Sequence, residues 1–250
     1  MTYQEIQREF SDHLFLSYRE IGGSKKLVGD IIVIVFFVDD NQSSWTEEAK
    51  KQFIEKHNSA MQILLRLAKK NGVNLKIRNA YGDITIPLNC TKDNYLEWSD
   101  SAVKRYNASN INEYQKIYKD YYKCDECPIL FVFNKSFRSC AISVNPLTQK
   151  YAELSIISYD CRTGSIIHEL LHQFGAADLY FPSELKALVQ KMNYESIMLT
   201  SSQHYIDSLT AYLIGWKNEV NDSAATILRK TSHYTFDLLS DLIEQEWKNT

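Results

Sequence analysis

The run Ile31-Ile-Val-Ile-Val-Phe-Phe-Val38 constrains the fold more than any other stretch of the chain. Its side chains are apolar without interruption and mostly β-branched or aromatic, so a strand built from them has no polar face and must be covered on both sides. The run is too short to cross a bilayer, and Asp39 and Asp40 end it. Trp45 to Lys70 follows with helical spacing of Phe53, Ile54, Met61, Leu64, Leu65 and Ala68, and Asn71-Gly72 is a fitting stop. Further strands are predicted over 74–88 (with a turn at Tyr81-Gly82-Asp83), 129–133, 140–144 and 152–158, with Asn145-Pro146 turning the chain between the last two. Residues 3–20 read as one short helix, 90–123 as polar, Tyr-rich and largely helical, and 163–174 as a helix stopped by Gly175. Strand, helix, four strands and helix predict an α/β (α+β) sandwich around a mixed sheet. From Ala176 on, helices are expected over 183–192 and 207–219, with no readable pattern to Thr250.

Composition closes off other classes. The chain has 250 residues, 44% hydrophobic and 24% charged, which suits a globular protein that needs no disulfide or metal to build its core. A formal charge of −3 disfavours nucleic acid or an anionic membrane as general partners. The first ten residues are polar and show no secretory signal, so a cytoplasmic setting with reduced cysteines is the default, and secretion the alternative if a signal has been removed. A monomer is expected.

The chemistry lies in Thr163-Gly-Ser-Ile-Ile-His-Glu-Leu-Leu-His-Gln-Phe-Gly-Ala-Ala-Asp178. His168 and His172, four residues apart on a helix, can reach one ion, and Glu169 beside the first can face water rather than the ion, as a general base must. Ile167, Leu170, Leu171 and Phe174 form the apolar stripe of this helix. At roughly 100° per residue, the two histidines point on the order of 130° away from its centre, outside the packing seam. Chance gives such a spacing in roughly one chain in a hundred of this histidine content. Gly175 can take the left-handed conformation that ends a helix, and Asp178 can then swing back as a third ligand. A rival ligand set takes a Glu from a following helix, with Glu184, Glu195 and Glu219 as candidates, but leaves the spacing of Gly175 and Asp178 without a purpose.

His168-Glu169-x-x-His172-x-x-Gly175-x-x-Asp178 resembles the extended zinc motif of the metzincin metallopeptidases, and its third-position Asp resembles the snapalysin-like and immune-inhibitor-like branches. The resemblance spans roughly residues 125–217. It implies a metzincin-like zincin fold: a twisted five-stranded mixed sheet with two long helices, an active-site helix and a small helical C-terminal lobe. One catalytic domain is expected over 1–250, with 1–175 as the upper subdomain and 176–250 as the lower. The resemblance also implies a tight turn holding a Met under one catalytic Zn2+, matched by Ser196-Ile197-Met198. Peptide would bind along a sheet edge, here 140–144. Many metzincins carry a Tyr two residues after the Met; this chain has Thr200 there, and Tyr205 or His204 are the substitutes on offer for the oxyanion or substrate. The implied activity is that of a zinc endopeptidase acting on a peptide or protein, or on one dedicated protein partner. The competing class is a zinc-containing binding module without catalysis.

Other features have plainer readings. Cys124-x-x-Cys127 can bind a second zinc with Cys140 and Cys161 or act in redox chemistry, but reduced thiols at a strand entrance are the expectation; Cys140 with Cys161 can pair if the protein is exported. Tyr106, Tyr114, Tyr118, Tyr121 and Tyr122 read as a packing face, Asp39 and Asp40 as caps, and His13, His57 and His233 as isolated surface or core residues.

Overall fold

A computed structural model describes residues 1–21, 23–142, 153–235 and 238–239. Two helices open the chain, α1 (Tyr3–Glu9) and α2 (Leu14–Ile21). Then come β1 (Gly29–Asp39), α3 (Glu47–Lys70), β2 (Leu75–Thr85), α4 (Tyr95–Lys104) and α5 (Ile111–Tyr122). The strands β3 (Ile129–Phe133), β4 (Cys140–Ile142) and β5 (Leu154–Ser158) complete one sheet in the order β2-β1-β3-β5-β4, parallel except for β4, which runs antiparallel to β5. Four helices follow: α6 (Thr163–His172), α7 (Ser183–Lys191), α8 (Ser208–Leu213) and α9 (Asp222–Lys230). The result is a twisted mixed five-stranded sheet of the zincin kind, with α3 and α6 packed on one face.

Strand β1 divides the core, because successive side chains alternate between the two faces of a sheet. Ile31, Val33, Val35 and Phe37 join α3, α6 and the C-terminal helices on one side; Ile32, Ile34, Phe36 and Val38 join α4 and α5 on the other. Helix α6 thus packs between α3 and the sheet, with Ile166, Ile167, Leu170, Leu171 and Phe174 fully buried.

Three expectations need correction. Strand β2 does not turn at residues 81–83: Tyr81, Gly82 and Asp83 stay in parallel register with Val35, Phe36 and Phe37. Gly82 serves side-chain packing instead, since a Cβ there would stand 3.3 Å from the Phe36 ring, which stacks on Tyr106. The N-terminal helix is two helices, broken where the buried His13 ring enters the core. Its Nδ1 accepts from Phe15 N (3.1 Å) and its Nε2 meets Leu228 O (3.1 Å). Burial lowers this imidazole to about 4, so it is neutral. Helix α8 stops at Leu213 rather than running to 219, because Gly215 takes a φ of +82°. Beyond it α9 forms in a stretch without a clear sequence pattern, capped by Asn221 and burying Ala224, Ala225, Ile227 and Leu228. The turn at 145–146, the ends of the predicted strands at 143–144 and 152, and the chain beyond 239 lie outside the described residues. All five cysteines are free thiols, Cys140 and Cys161 included. Among the described residues no helix is long and apolar enough to cross a membrane.

Where β5 begins, the chain buries a carboxyl group. Glu153 Oε2 accepts from Ser24 N (2.8 Å), and burial, reinforced by Glu126, pushes the acid up to about 8. In the unfolded chain it ionises near 4.5. Between those values the unfolded chain gives up a proton that the native state keeps, so stability falls as pH rises through the window. Replacing Glu153 by Gln is expected to shrink the loss in Tm between pH 5 and pH 8 by about 5 °C or more. Thermal melts of both proteins at the two pH values check this; parallel shifts would contradict it.

Candidate metal centre

Helix α6 places His168 and His172 one turn apart, His172 on the wall of one cleft and His168 on that of an adjoining one. The helix closes through Gln173 and Phe174 in a Schellman arrangement: Ala176 N donates to Leu171 O (3.2 Å) and Gly175 N to His172 O (3.0 Å), with Gly175 at φ +87°. That bend returns the chain toward its own helix and sets Asp178 against the histidines.

Three atoms converge there. His168 Nε2 lies 3.1 Å and His172 Nε2 3.2 Å from Asp178 Oδ1, and the two ring nitrogens are 3.2 Å apart. The other ring nitrogens are committed: His168 Nδ1–H donates to Ile197 O (2.9 Å) and His172 Nδ1–H to Ala176 O (2.8 Å). In the neutral imidazoles the proton therefore sits on Nδ1 and both Nε2 lone pairs face inward. Asp178 Oδ1 is shielded from water and accepts no well-formed hydrogen bond. Three electron-rich atoms facing one another are stable only around positive charge. The cluster's electrostatics agree. Burial alone would push the His172 imidazole down, but the Asp178 carboxylate outweighs it and raises His172 to about 9. Burial likewise opposes ionisation of Asp178, yet the two imidazoles hold its carboxyl far below the usual range.

The residues present fit a zinc ion. A triangle with edges of 3.1, 3.2 and 3.2 Å has a circumradius of about 1.8 Å, so all three atoms could hold one ion at roughly 2.0–2.1 Å. The Glu169 carboxylate lies within 4.8 Å of both ring nitrogens. Burial pushes Glu169 up, while the two imidazoles oppose that shift. Among the described residues His168, Glu169 and His172 are the group that can hold a metal ion, consistent with an H-E-x-x-H zinc site. Glu184, Glu195 and Glu219 are all exposed and none joins the cluster.

The turn Ser196-Ile197-Met198 lies against both ligand segments. Ile197 O takes the His168 proton, Met198 O accepts from Leu179 N (3.0 Å), and the Met198 side chain is fully buried. The turn is braced by the buried Asp207, whose carboxylate accepts from Ser196 Oγ (2.5 Å), Tyr194 Oη (2.8 Å) and Thr210 N (2.9 Å). Tyr205 and His204 are exposed; Tyr205 bonds the turn through its carbonyl, which accepts from Ile197 N (2.9 Å), and neither residue lines the clefts at the cluster.

Several residues at the site escaped the sequence reading. The Tyr180 ring stacks on His168 with centroids 6.0 Å apart, and its hydroxyl accepts from Arg138 Nη2 (2.9 Å). Its signal was available, two residues past Asp178. Gln173, fully buried, locks α6 to the sheet: its Oε1 accepts from Ile129 N (3.0 Å), and its Nε2 donates to Ile129 O (2.9 Å) and Ser155 Oγ (2.7 Å). Ser155 Oγ then donates to Glu169 O (2.9 Å). A cleft of about 870 Å³ opens beside the cluster, with Phe15 and Tyr18 of α2, Phe133 and Phe137, and the edge strand β4 on its walls.

No protein-family model matches the chain, and no curated protein does so either.

Gly175→Ala is expected to lose about 1–2 kcal/mol of stability, because an alanine at this φ is strained, and to weaken zinc binding about ten-fold or more by shifting Asp178. Gly72→Ala is the control: it also caps a helix at positive φ (+70°) and its Cβ meets nothing within 4 Å. Zinc titrations that lower affinity equally in both variants would contradict the link between the bend and the third ligand.

Proposed function

We propose that the protein is a zinc-dependent endopeptidase of metzincin-like type, with His168, His172 and Asp178 as ligands and Glu169 as general base. The observation that carries this reading is the inward-facing triangle of two Nε2 atoms and one carboxylate oxygen, with a second, buried carboxylate beside it at the floor of an open cleft. A zinc ion held there supplies Lewis acidity toward a carbonyl oxygen and acidifies water. A purely structural site needs no such base.

The chain's own groups divide the remaining work. Glu169 takes a proton from the attacking water and passes it to the leaving amine as the C–N bond breaks, so the acid returns to its carboxylate form. Tyr180 accepts a hydrogen bond from Arg138 and turns its hydroxyl to Asp178; released from Asp178, that proton suits the oxygen that gains negative charge in the transition state. Strand β4 is the sheet edge, with no further strand paired to it among the described residues, and Cys140 and Ala141 line the cleft. An extended peptide pairing with that edge would have its backbone led past Glu169.

Glu169→Gln is expected to bind one zinc as the parent protein does and to lose peptide hydrolysis by about three orders of magnitude or more. Metal analysis and turnover of quenched fluorescent peptides measure the two quantities. Turnover near that of the parent would remove Glu169 from the chemistry.

A further inference from the structure

Two adjoining clefts flank the metal cluster and both carry cations: the larger has Lys92, Lys135 and Arg138, of which Lys135 pairs with Asp40. The second, of about 550 Å³, carries Arg138, Arg162 and Lys186; it reaches His168 and shares Arg138, Glu169 and Tyr180 with the larger cleft. Among the described residues none of these three cations forms an ion pair with an acid. The one acid on this wall besides Glu169 is Asp160, and it is already engaged by Ser136 Oγ (2.6 Å) and Ser158 Oγ. Helix α6 borders this cleft through Arg162 and Ser165, while the buried Gly164 between them packs against Ser201. The helix's cap residue is Arg162, which has no acceptor to offer, so no side chain satisfies the first-turn N–H groups. A chain of net charge −3 thus concentrates unpaired positive charge in one hollow next to its chemistry. Exposed cations on a convex surface are simply solvated; in a concave wall that shares its floor with a buried cluster, they focus a field on whatever enters.

We infer that this hollow is a carboxylate-selecting subsite, through which the site prefers peptides bearing Asp or Glu on the side of the scissile bond that lies over the start of α6. The inference rests on the peptidase reading insofar as it takes a peptide as the occupant. Arg162 and Lys186 set the preference, and Arg138 joins the subsite to Tyr180. The larger cleft has Phe133 and Ile156 as well as Lys92 and Lys135 on its walls and lacks Arg162 and Lys186.

The test uses zinc-loaded full-length protein carrying Glu169→Gln, so that bound peptide stays intact. Fluorescence polarisation reads the binding of two labelled sets of short random peptides, one containing Glu and its twin with Gln at the same positions. The Glu set is expected to bind about ten-fold more tightly than its twin, to lose that advantage when Arg162→Gln and Lys186→Gln are added, and to keep it when Lys69→Gln and Lys70→Gln remove the same charge elsewhere. Equal binding of the two sets, no binding of either, or a preference that survives loss of Arg162 and Lys186 would overturn the subsite. An acid preference in this assay, with no cleavage of the Glu set by the parent protein, would refute the peptidase reading and leave the subsite standing.

Discussion

Two carbonyl oxygens decide what this protein can do. Ile197 O and Ala176 O each take the Nδ1 proton of one histidine, and in doing so turn both Nε2 lone pairs toward Asp178 Oδ1. A pair of imidazoles without such partners would rotate and share protons with water or with each other. Fixed in this way, they make a site that attracts positive charge and holds little else, and the rest of the fold serves to keep the two carbonyls in place. Ala176 O is set by the Schellman bend at Gly175, and Ile197 O by the turn that Asp207 braces from below. Partners of this kind orient metal ligands and are worth 10- to about 100-fold in metal affinity.

The same economy runs through the layer above. Gln173 comes one residue after the second histidine, where the helix is turning into its cap, and its amide replaces a missing strand partner at Ile129. Through Ser155 it also reaches the backbone of Glu169. The helix that carries the two histidines is therefore tied to two central strands by directional bonds as well as by apolar packing. A helix held only by Leu170, Leu171 and Phe174 could slide along its ridges; one pinned by a buried amide cannot without leaving N–H and C=O groups unpaired.

Much of this was legible in the sequence, for identifiable reasons. Strand β1 announced itself because neither face is polar, and α3 because its apolar spacing continues over many turns. The histidine pair, its neighbouring Glu, and the Gly and Asp beyond are local in sequence, so spacing alone could predict that they meet. What failed was information carried by distant partners. The turn expected at Gly82 treated a glycine as punctuation, when it makes room for Phe36 across the sheet. The break at residues 10–13 depends on a carbonyl more than two hundred residues away. A lone Gln173 or Asp207 carries no pattern, since its role exists only once the strands and the turn surround it. Tyr180 is a different case: it stands two residues past the third candidate ligand, whereas Tyr205 and His204 are the residues that follow the Met turn.

The most direct measurement is an anomalous-difference map at the zinc absorption edge from crystals grown with Zn2+, paired with metal analysis of dialysed protein. One strong peak within bonding reach of His168 Nε2, His172 Nε2 and Asp178 Oδ1, at one zinc per chain and lost in Asp178→Ala, is the predicted result. A peak elsewhere, or the three side chains bonded to water with no ion between them, would contradict it.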